Sequence, residues 1–451
     1  MKPLSPLDAM FLWIEHRRQP MHVAGLQLFT PPPGAGPHFV QDLVESFRKF
    51  TSATPPFNQR PVFRLGHWFW DDDEEFELDY HLRHSALPYP GRIRELLALV
   101  SRLHGTLMDR SRPLWEMNII EGLADGRVAV YIKLHHAMFD GVAATRLLQH
   151  ALSEDADERK PPPWAQPRHR RRKDDQPAPA AAGLLKTLSD AMRLGRDLAP
   201  GVGSGLWEIV RSSPSDPADA QPFHAPSTMF NVRISGSRRF AAQAYSLQRF
   251  KTLAHRHGAT LNDVSLAICA GALRRYLLSR DALPDKPLIA MVPVSIRGES
   301  HEDGNQVSMI LANLATHVRD PDQRLRLIMQ STAHAKQRIA SMTRLQQMAY
   351  AAAMAAPLGP AMLTRQAGKH PIFNLVISNV PGPRHTLYMD GFRLDQSYPI
   401  SIPFDYAALN ITLNSYCDHL GFGYTACRRS VPALQRMLDY TEESLRELEA
   451  S

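Results

Sequence analysis

His135-His136-Ala137-Met138-Phe139-Asp140-Gly141 is the stretch on which the reading of this chain turns. It follows an alternating apolar run, Val128 to Leu134, whose period of two predicts a strand. It precedes Val142 to Leu152, where Val142, Leu147, Leu148, Ala151 and Leu152 fall at helical spacing. A histidine on a strand-to-helix loop, with an aspartate and a glycine at fixed offsets, can be held in one pose. Imidazole titrates near neutrality, which suits it to take a proton from an alcohol or an amine. Histidine is frequent here, 20 in the chain, so two surface histidines in a turn are the bland reading. From composition alone the four-position pattern arises by chance on the order of a few times in a thousand such chains, so the pattern is not an accident of composition.

The rest of the chain sets bounds. With 451 residues it exceeds one ordinary core, so two domains are expected. Apolar content of 44% and charged content of 22% suit a soluble globular protein. Cys269, Cys417 and Cys427 lack metal-ligand spacing and cannot all pair, which reads as a reducing cytosol. The apolar run Ala9 to Ile14 is too short for a secretory signal. A net charge of +7 does not by itself suggest nucleic acid and favours acidic partners such as CoA phosphates or anionic lipid. Leu345 to Thr364 is uncharged, but Pro357, Gly359 and Pro360 interrupt it, so it fails as a membrane span.

Three regions follow from pattern. Residues 1–155 hold helices near Phe39 to Phe50 and Arg94 to Met108, and the strand that delivers the two histidines. Asp71 to Glu75 reads as a solvated acidic turn, since no histidine is spaced to join it as a metal ligand. Residues 156–225 form a linker, with Pro161-Pro162-Pro163, a basic cluster Arg168 to Lys173, and an amphipathic stretch Ala180 to Leu198. Residues 226–451 begin a second mixed region. Thr260 and Asp263 predict a capped helix over Leu261 to Leu278, and Asp320-Pro321 starts another. Leu288 to Val294, Phe373 to Ser378, Ala408 to Tyr416 and Leu420 to Arg428 predict strands, and Val431 to Leu448 a closing helix. Strands and helices in both halves predict α/β layers in each.

The histidine stretch resembles the HHxxxDG signature of CoA-dependent acyltransferases and of peptide-synthetase condensation domains. Further segments narrow the likeness: Leu4-Ser5-Pro6-Leu7-Asp8-Ala9-Met10-Phe11, Pro113-Leu114-Trp115, Asn262-Asp263-Val264, Pro293 to Arg297, Gly304 to Ser308 and Ser378 to Pro383. Their ordered set is similar to the bacterial wax ester synthase/diacylglycerol acyltransferase family. Met309 to Leu314 departs from the family pattern, which often has a proline before a threonine there, so the local loop shape differs. The resemblance implies a two-lobed chloramphenicol acetyltransferase-like fold with an active-site channel between lobes. It implies fatty acyl-CoA as substrate, a long-chain alcohol or diacylglycerol as acceptor, no cofactor and no metal.

It also implies that His136 is the base and that Asp140 turns away to pair with Arg297. Pro113, Leu114, Trp115, Ser378 and Asn379 read most simply as structural, a buried aromatic after a proline turn and a strand-ending turn, and the resemblance alone makes them walls of the substrate channel. The residues themselves leave alternatives open. His135 is read as orienting the loop or as catalytic, and Gly141 as meeting a need for positive φ or close approach. Asn262 is read equally as an oxyanion or acceptor donor and as a helix cap. Ala353, Ala356 and Ala361, in the alanine- and methionine-rich stretch Met348 to Met362, are read as a pocket wall or as ordinary helix packing. The basic linker is read as a plain linker or as a contact with a lipid surface, placing a cytoplasmic protein at the inner membrane or lipid bodies. Two other functions compete: a condensation-type domain acting on carrier-protein thioesters, and a non-catalytic lipid-binding protein.

Overall fold

The computed structural model describes residues 1–139, 141–166, 216, 218–296, 306–342 and 368–451. The chain opens with strand β1 (Lys2–Pro3), helix α1 (Pro6–Ile14), β2 (His22–Thr30), α2 (Phe39–Arg48), β3 (Gln59–Arg64) and β4 (His67–Asp72). There follow α3 (Leu78–His81), β5 (Leu82–Ala86), α4 (Ile93–His104), β6 (Trp115–Glu121), β7 (Val128–His135) and α5 (Gly141–His150). The second half runs β8 (Arg238–Ser246), α6 (Leu247–Arg256), α7 (Leu261–Leu278), β9 (Ile289–Ile296), β10 (Gln306–Asn313) and α8 (Pro321–Ala340). It closes with β11 (Leu375–Val380), β12 (Tyr388–Met389), β13 (Phe392–Ile400), β14 (Leu409–Tyr416), β15 (His419–Cys427) and α9 (Arg436–Ala450).

These elements make the expected two-lobed α/β architecture. The first lobe is built on a six-stranded sheet of order β12-β13-β2-β7-β6-β5, and a small sheet β1-β4-β3 lies apart from it. Every residue of β7 is buried, because both of its faces are covered. Val130, Ile132 and Leu134 join a core with α2 and α5 side chains. Ala129 and Tyr131, on the opposite face, meet Leu96, Leu97 and Val100 of α4 together with Phe240 and Ala242 of β8. That shared core, with the Phe240 N–H donating to Ser101 Oγ at 2.8 Å, joins the lobes.

The second sheet has order β10-β9-β11-β14-β15-β8, with β11 parallel to both neighbours. Helix α7 lies against it and is buried along most of its length. Its start is fixed as expected: Thr260 Oγ1 accepts from the Asp263 N–H at 3.1 Å, and the Asp263 carboxylate accepts from the Thr260 N–H at 3.0 Å. Thr260→Ala removes this reciprocal cap and should lower stability by about 1 kcal/mol, read as a lower denaturant midpoint at unchanged m-value. Gly271 of α7 sits where a Cβ would come within 2.6 Å of Ser444 Oγ, so only glycine lets α9 cross this close.

Three expectations change. Residues 388–400 lie in the first lobe's sheet, where Arg393↔Thr30 to Ile400↔Ala24 pair β13 with β2. The spatial lobes thus cut across the division of the chain near residue 226. Asp71 and Asp72 end β4 opposite Arg60 and Gln59, leaving only Asp73 to Glu75 after the strand. The closing helix starts at Arg436, later than its apolar pattern, because Pro432 gives its carbonyl to Tyr276 Oη at 2.7 Å and Ala433 adopts a φ of 53°.

Candidate active site

The histidine loop hangs from three strand ends. The His135 N–H donates to the Leu114 carbonyl at 3.0 Å, and the His136 N–H donates to the Met21 carbonyl at 2.9 Å. The His135 carbonyl accepts from Met138 at 2.9 Å, which closes the turn. Leu114 and Trp115 are fully buried beneath it. The Trp115 indole donates to the Phe57 carbonyl at 2.8 Å and stacks on His81 at 4.5 Å and Trp164 at 5.3 Å. The Pro113-Leu114-Trp115 segment is therefore a foundation for the loop within the first lobe's core.

His135 is wholly buried and its two ring nitrogens are both engaged. Nδ1 accepts from the Ala137 N–H at 3.1 Å, so the ring proton resides on Nε2. Nε2 lies 3.3 Å from Glu15 Oε1, within ion-pair distance. Glu15 also accepts from the Met21 N–H at 2.9 Å and from Arg110 at 3.1 and 3.2 Å. Burial opposes the Glu15 charge, but His135, the Met21 N–H and Arg110 outweigh it and hold its carboxyl below the usual range. Of the two readings of His135, loop orientation is the one this geometry supports.

His136 lies in a different setting. It is partly exposed, and its ring stacks on Phe11 at 4.1 Å and 26°. Phe11 and Glu15 are four residues apart on and just after α1, hence on one face of it. One short helix thus touches both histidines. Ser5 caps that helix by accepting from the Asp8 N–H at 3.1 Å, and Pro6 occupies its first turn. Glu15 and Arg110 were not found from sequence. The only signal was the spacing of Phe11 and Glu15, which has no meaning until a partner is known.

Behind the loop the sheet face is polar and buried. His22, the ladder partner of His135, meets the His104 carbonyl through Nε2 at 2.8 Å. His104 contacts Tyr131 Oη and the Ser401 carbonyl, each at 3.1 Å, and burial pushes its imidazole down to about 3. Burial likewise lowers His22, and both rings are neutral at physiological pH. Lys133 is 3.3 Å from Glu116 in the same layer, with burial lowering its ammonium against the pull of that carboxylate. From Ser401 the polar line continues into the second lobe, through Thr412 Oγ1 at 2.5 Å to Ser378 Oγ at 3.2 Å. Ser378 and Asn379 are partly exposed residues of β11.

Asn262 stands in the first turn of α7, where Thr260 and Asp263 already supply the cap. Its Nδ2 is buried and meets no acceptor among the described residues. Capping therefore does not account for this amide. Asp263 is a cap, and its second oxygen accepts from Thr332 Oγ1 at 2.7 Å. Gly141 meets neither need expected of it: its φ lies outside the left-handed region and no described atom lies within 4 Å of an added Cβ. Instead its carbonyl accepts from Thr145 Oγ1 at 2.8 Å in the first turn of α5.

Asp140, Arg297, the basic cluster 168–173, the stretch 180–198 and Ala353, Ala356 and Ala361 lie outside the described residues. Among the described residues no three His, Cys, Asp or Glu side chains are grouped to hold a metal ion. Among them, too, no helix is long and apolar enough to cross a membrane.

Two family models match in order: the wax ester synthase/diacylglycerol acyltransferase catalytic domain over residues 4–265, and the C-terminal domain of the same family over residues 303–449. The chain is 47% identical to the O-acyltransferase WSD of Acinetobacter baylyi, over 99% of this chain and 96% of that protein. It is 46% identical to a probable diacylglycerol O-acyltransferase of Mycobacterium tuberculosis, over 99% of this chain and 98% of that one. The structure of a wax ester synthase/diacylglycerol acyltransferase from Marinobacter aquaeolei superposes with a TM-score of 0.82 at 44% identity, covering 100% of this chain and 99% of that chain. A starter condensation domain of rhizomide synthetase shares the fold alone, with a TM-score of 0.57 at 11% identity. With both models matched along the chain and relatives this similar over its whole length, the protein belongs to the wax ester synthase/diacylglycerol acyltransferase family and is an acyltransferase.

Proposed function

We propose that the protein esterifies a long-chain fatty alcohol or diacylglycerol with fatty acyl-CoA, giving wax ester or triacylglycerol, and that His136 is the general base. The observation that carries this reading is the division of labour between the two histidines. His135 is wholly buried against Ala137 and Glu15, while His136, next to it on the same loop, is partly exposed. In the reaction His136 takes the proton of the acceptor hydroxyl as oxygen bonds to the thioester carbon. The carbon–sulfur bond then breaks, and the proton passes from His136 to the departing CoA thiolate. No acyl-enzyme and no resident cofactor are required.

The buried, unpartnered Asn262 amide supports a donor role, either to the oxyanion that forms on the thioester carbonyl or to the acceptor. Asp140 and Arg297 are proposed to fix the loop across the lobes. Ser378 and Asn379, partly exposed on β11, bound the substrate region on this reading, with Ala353, Ala356 and Ala361 as a further wall, while the buried Pro113, Leu114 and Trp115 support the loop from beneath. The substrates partition into lipid, so the protein works in the cytoplasm at the edge of the inner membrane or of lipid bodies.

Free thiol is the readout that tests this. Purified protein with palmitoyl-CoA should release CoA when hexadecanol or diacylglycerol is added, with the matching ester in the lipid extract. Turnover only with a carrier-protein thioester would assign the condensation-type function. An inert protein that still binds the lipids would assign the non-catalytic one.

A further inference from the structure

The β3–β4 hairpin ends in a surface that the fold does not explain. Leu65, at its tip, is 98% exposed, with φ of 49° followed by Gly66 at 80°. A two-residue turn of this kind favours asparagine, aspartate or glycine at its first position, and a bulky side chain there is strained. Neither packing nor backbone geometry calls for leucine at that point. Beside it, Trp13 is 61% exposed and Phe63 46% exposed. Their rings meet edge to face at 5.2 Å, and Trp68 backs them at 6.1 and 5.1 Å. The aromatic group is thus rigid and outward-facing.

Cations lie on the elements that carry this tip. Lys2 lies on β1, which pairs with β4, and Arg64 precedes Leu65. Arg17 and Arg18 are exposed on the turn that follows α1. None of the four lies within ion-pair distance of a carboxylate among the described residues, whereas most arginines of this lobe do. Glu15, the acidic residue nearest in sequence to Trp13, is buried and committed to His135 and Arg110.

We propose that this face, formed by Trp13, Phe63 and Leu65 with these cations, docks the protein on an anionic phospholipid surface. Aromatic rings and a leucine enter the interface while lysine and arginine meet the headgroup charge. A second copy of this chain is a poorer occupant, because a two-fold contact would set like cations against one another. The placement also links surface to chemistry. The helix that presents Trp13 outward carries Phe11 against His136 and leads directly into Glu15 beside His135. One helix would thus be held by the surface on its Trp13 side and by the histidine loop on its Phe11 side. The proposal rests on the lipid-acyltransferase reading for its purpose, although the surface itself can be tested separately.

Two variants and two assays test it. Trp13→Ser/Leu65→Ser removes the apolar tip, and Lys2→Gln/Arg17→Gln/Arg18→Gln/Arg64→Gln removes the charge. The parent should co-sediment with vesicles of equimolar phosphatidylglycerol and phosphatidylcholine, and less with phosphatidylcholine alone. The first variant should lower vesicle partition by about tenfold or more, and the second by a similar factor that disappears at high salt. Turnover of a short-chain acyl-CoA with a water-soluble alcohol, measured without vesicles, should be unchanged in both. A parent that does not bind, or variants that bind as the parent does, would overturn the proposal. So would a parent dimer that the variants lose. Patch-dependent binding by a parent inert with every acceptor would keep the docking surface and remove the acyltransferase purpose.

Discussion

His136→Ala should lower kcat by about two to four orders of magnitude, the range a positioned general base contributes. The fall belongs to kcat because the imidazole acts on the proton of the acceptor hydroxyl during bond formation, after both substrates are bound. Acyl-CoA affinity should persist. Folding should persist as well: the His136 backbone N–H donates to the Met21 carbonyl at 2.9 Å, and alanine retains that bond. What is lost is the ring and its stack on Phe11 at 4.1 Å. The measurement is a steady-state thiol assay beside a thermal melt. Near-parental kcat in a folded variant would move the base elsewhere and overturn the proposed mechanism.

Glu15→Ala should be the most damaging substitution for stability, by about 3 to 5 kcal/mol, because it leaves charge and hydrogen-bond donors buried without their acceptor. The Glu15 carboxylate meets the Met21 N–H, the Arg110 guanidinium and His135 Nε2 together, and its side chain is 2% exposed. The same change frees the His135 ring, so kcat should fall along with the melting temperature. Glu15→Gln, which keeps an acceptor for Met21, should recover part of the stability.

The pH dependence has a definite sign. The folded-state value for Glu15 lies below the unfolded reference of 4.5. Its stabilising contribution is therefore fully present above that reference and is lost as pH falls through the folded value. Denaturation series at neutral and acidic pH should show the gap between parent and Glu15→Ala closing only on the acid side. A gap that stays constant into acid would mean that the carboxylate charge is not what holds this cluster.

Much of this was legible in the residues because it is encoded locally. Apolar patterning marked β7, β9, β14 and β15 to within a residue or two, and the Thr260–Asp263 pair placed α7 over Leu261–Leu278. Asp320-Pro321 did the same for the start of α8. The His-His motif marked the loop, and the ordered set of further segments narrowed the likeness to the family. Where the pattern misled, a local geometric event intervened, as at Ala433 before α9.

Only the tertiary structure decided which side chains meet. Periodicity assigns a face to a residue and says nothing about what arrives opposite it. That β13 pairs with β2, across most of the chain's length, depends on long-range strand pairing that no local window contains. Glu15 and Arg110 become partners of His135 only because α1 and the segment before β6 converge on the end of β7. Lys133 and His104 read as ordinary polar residues until the lobes close over them and burial lowers both. Asn262 was divided between capping and donation, and the fold removed the first by giving the cap to its neighbours. By itself the sequence determined the elements, the motif and the family. The meeting of those elements, and with it the distinct settings of His135 and His136, came from contacts between residues far apart in the chain.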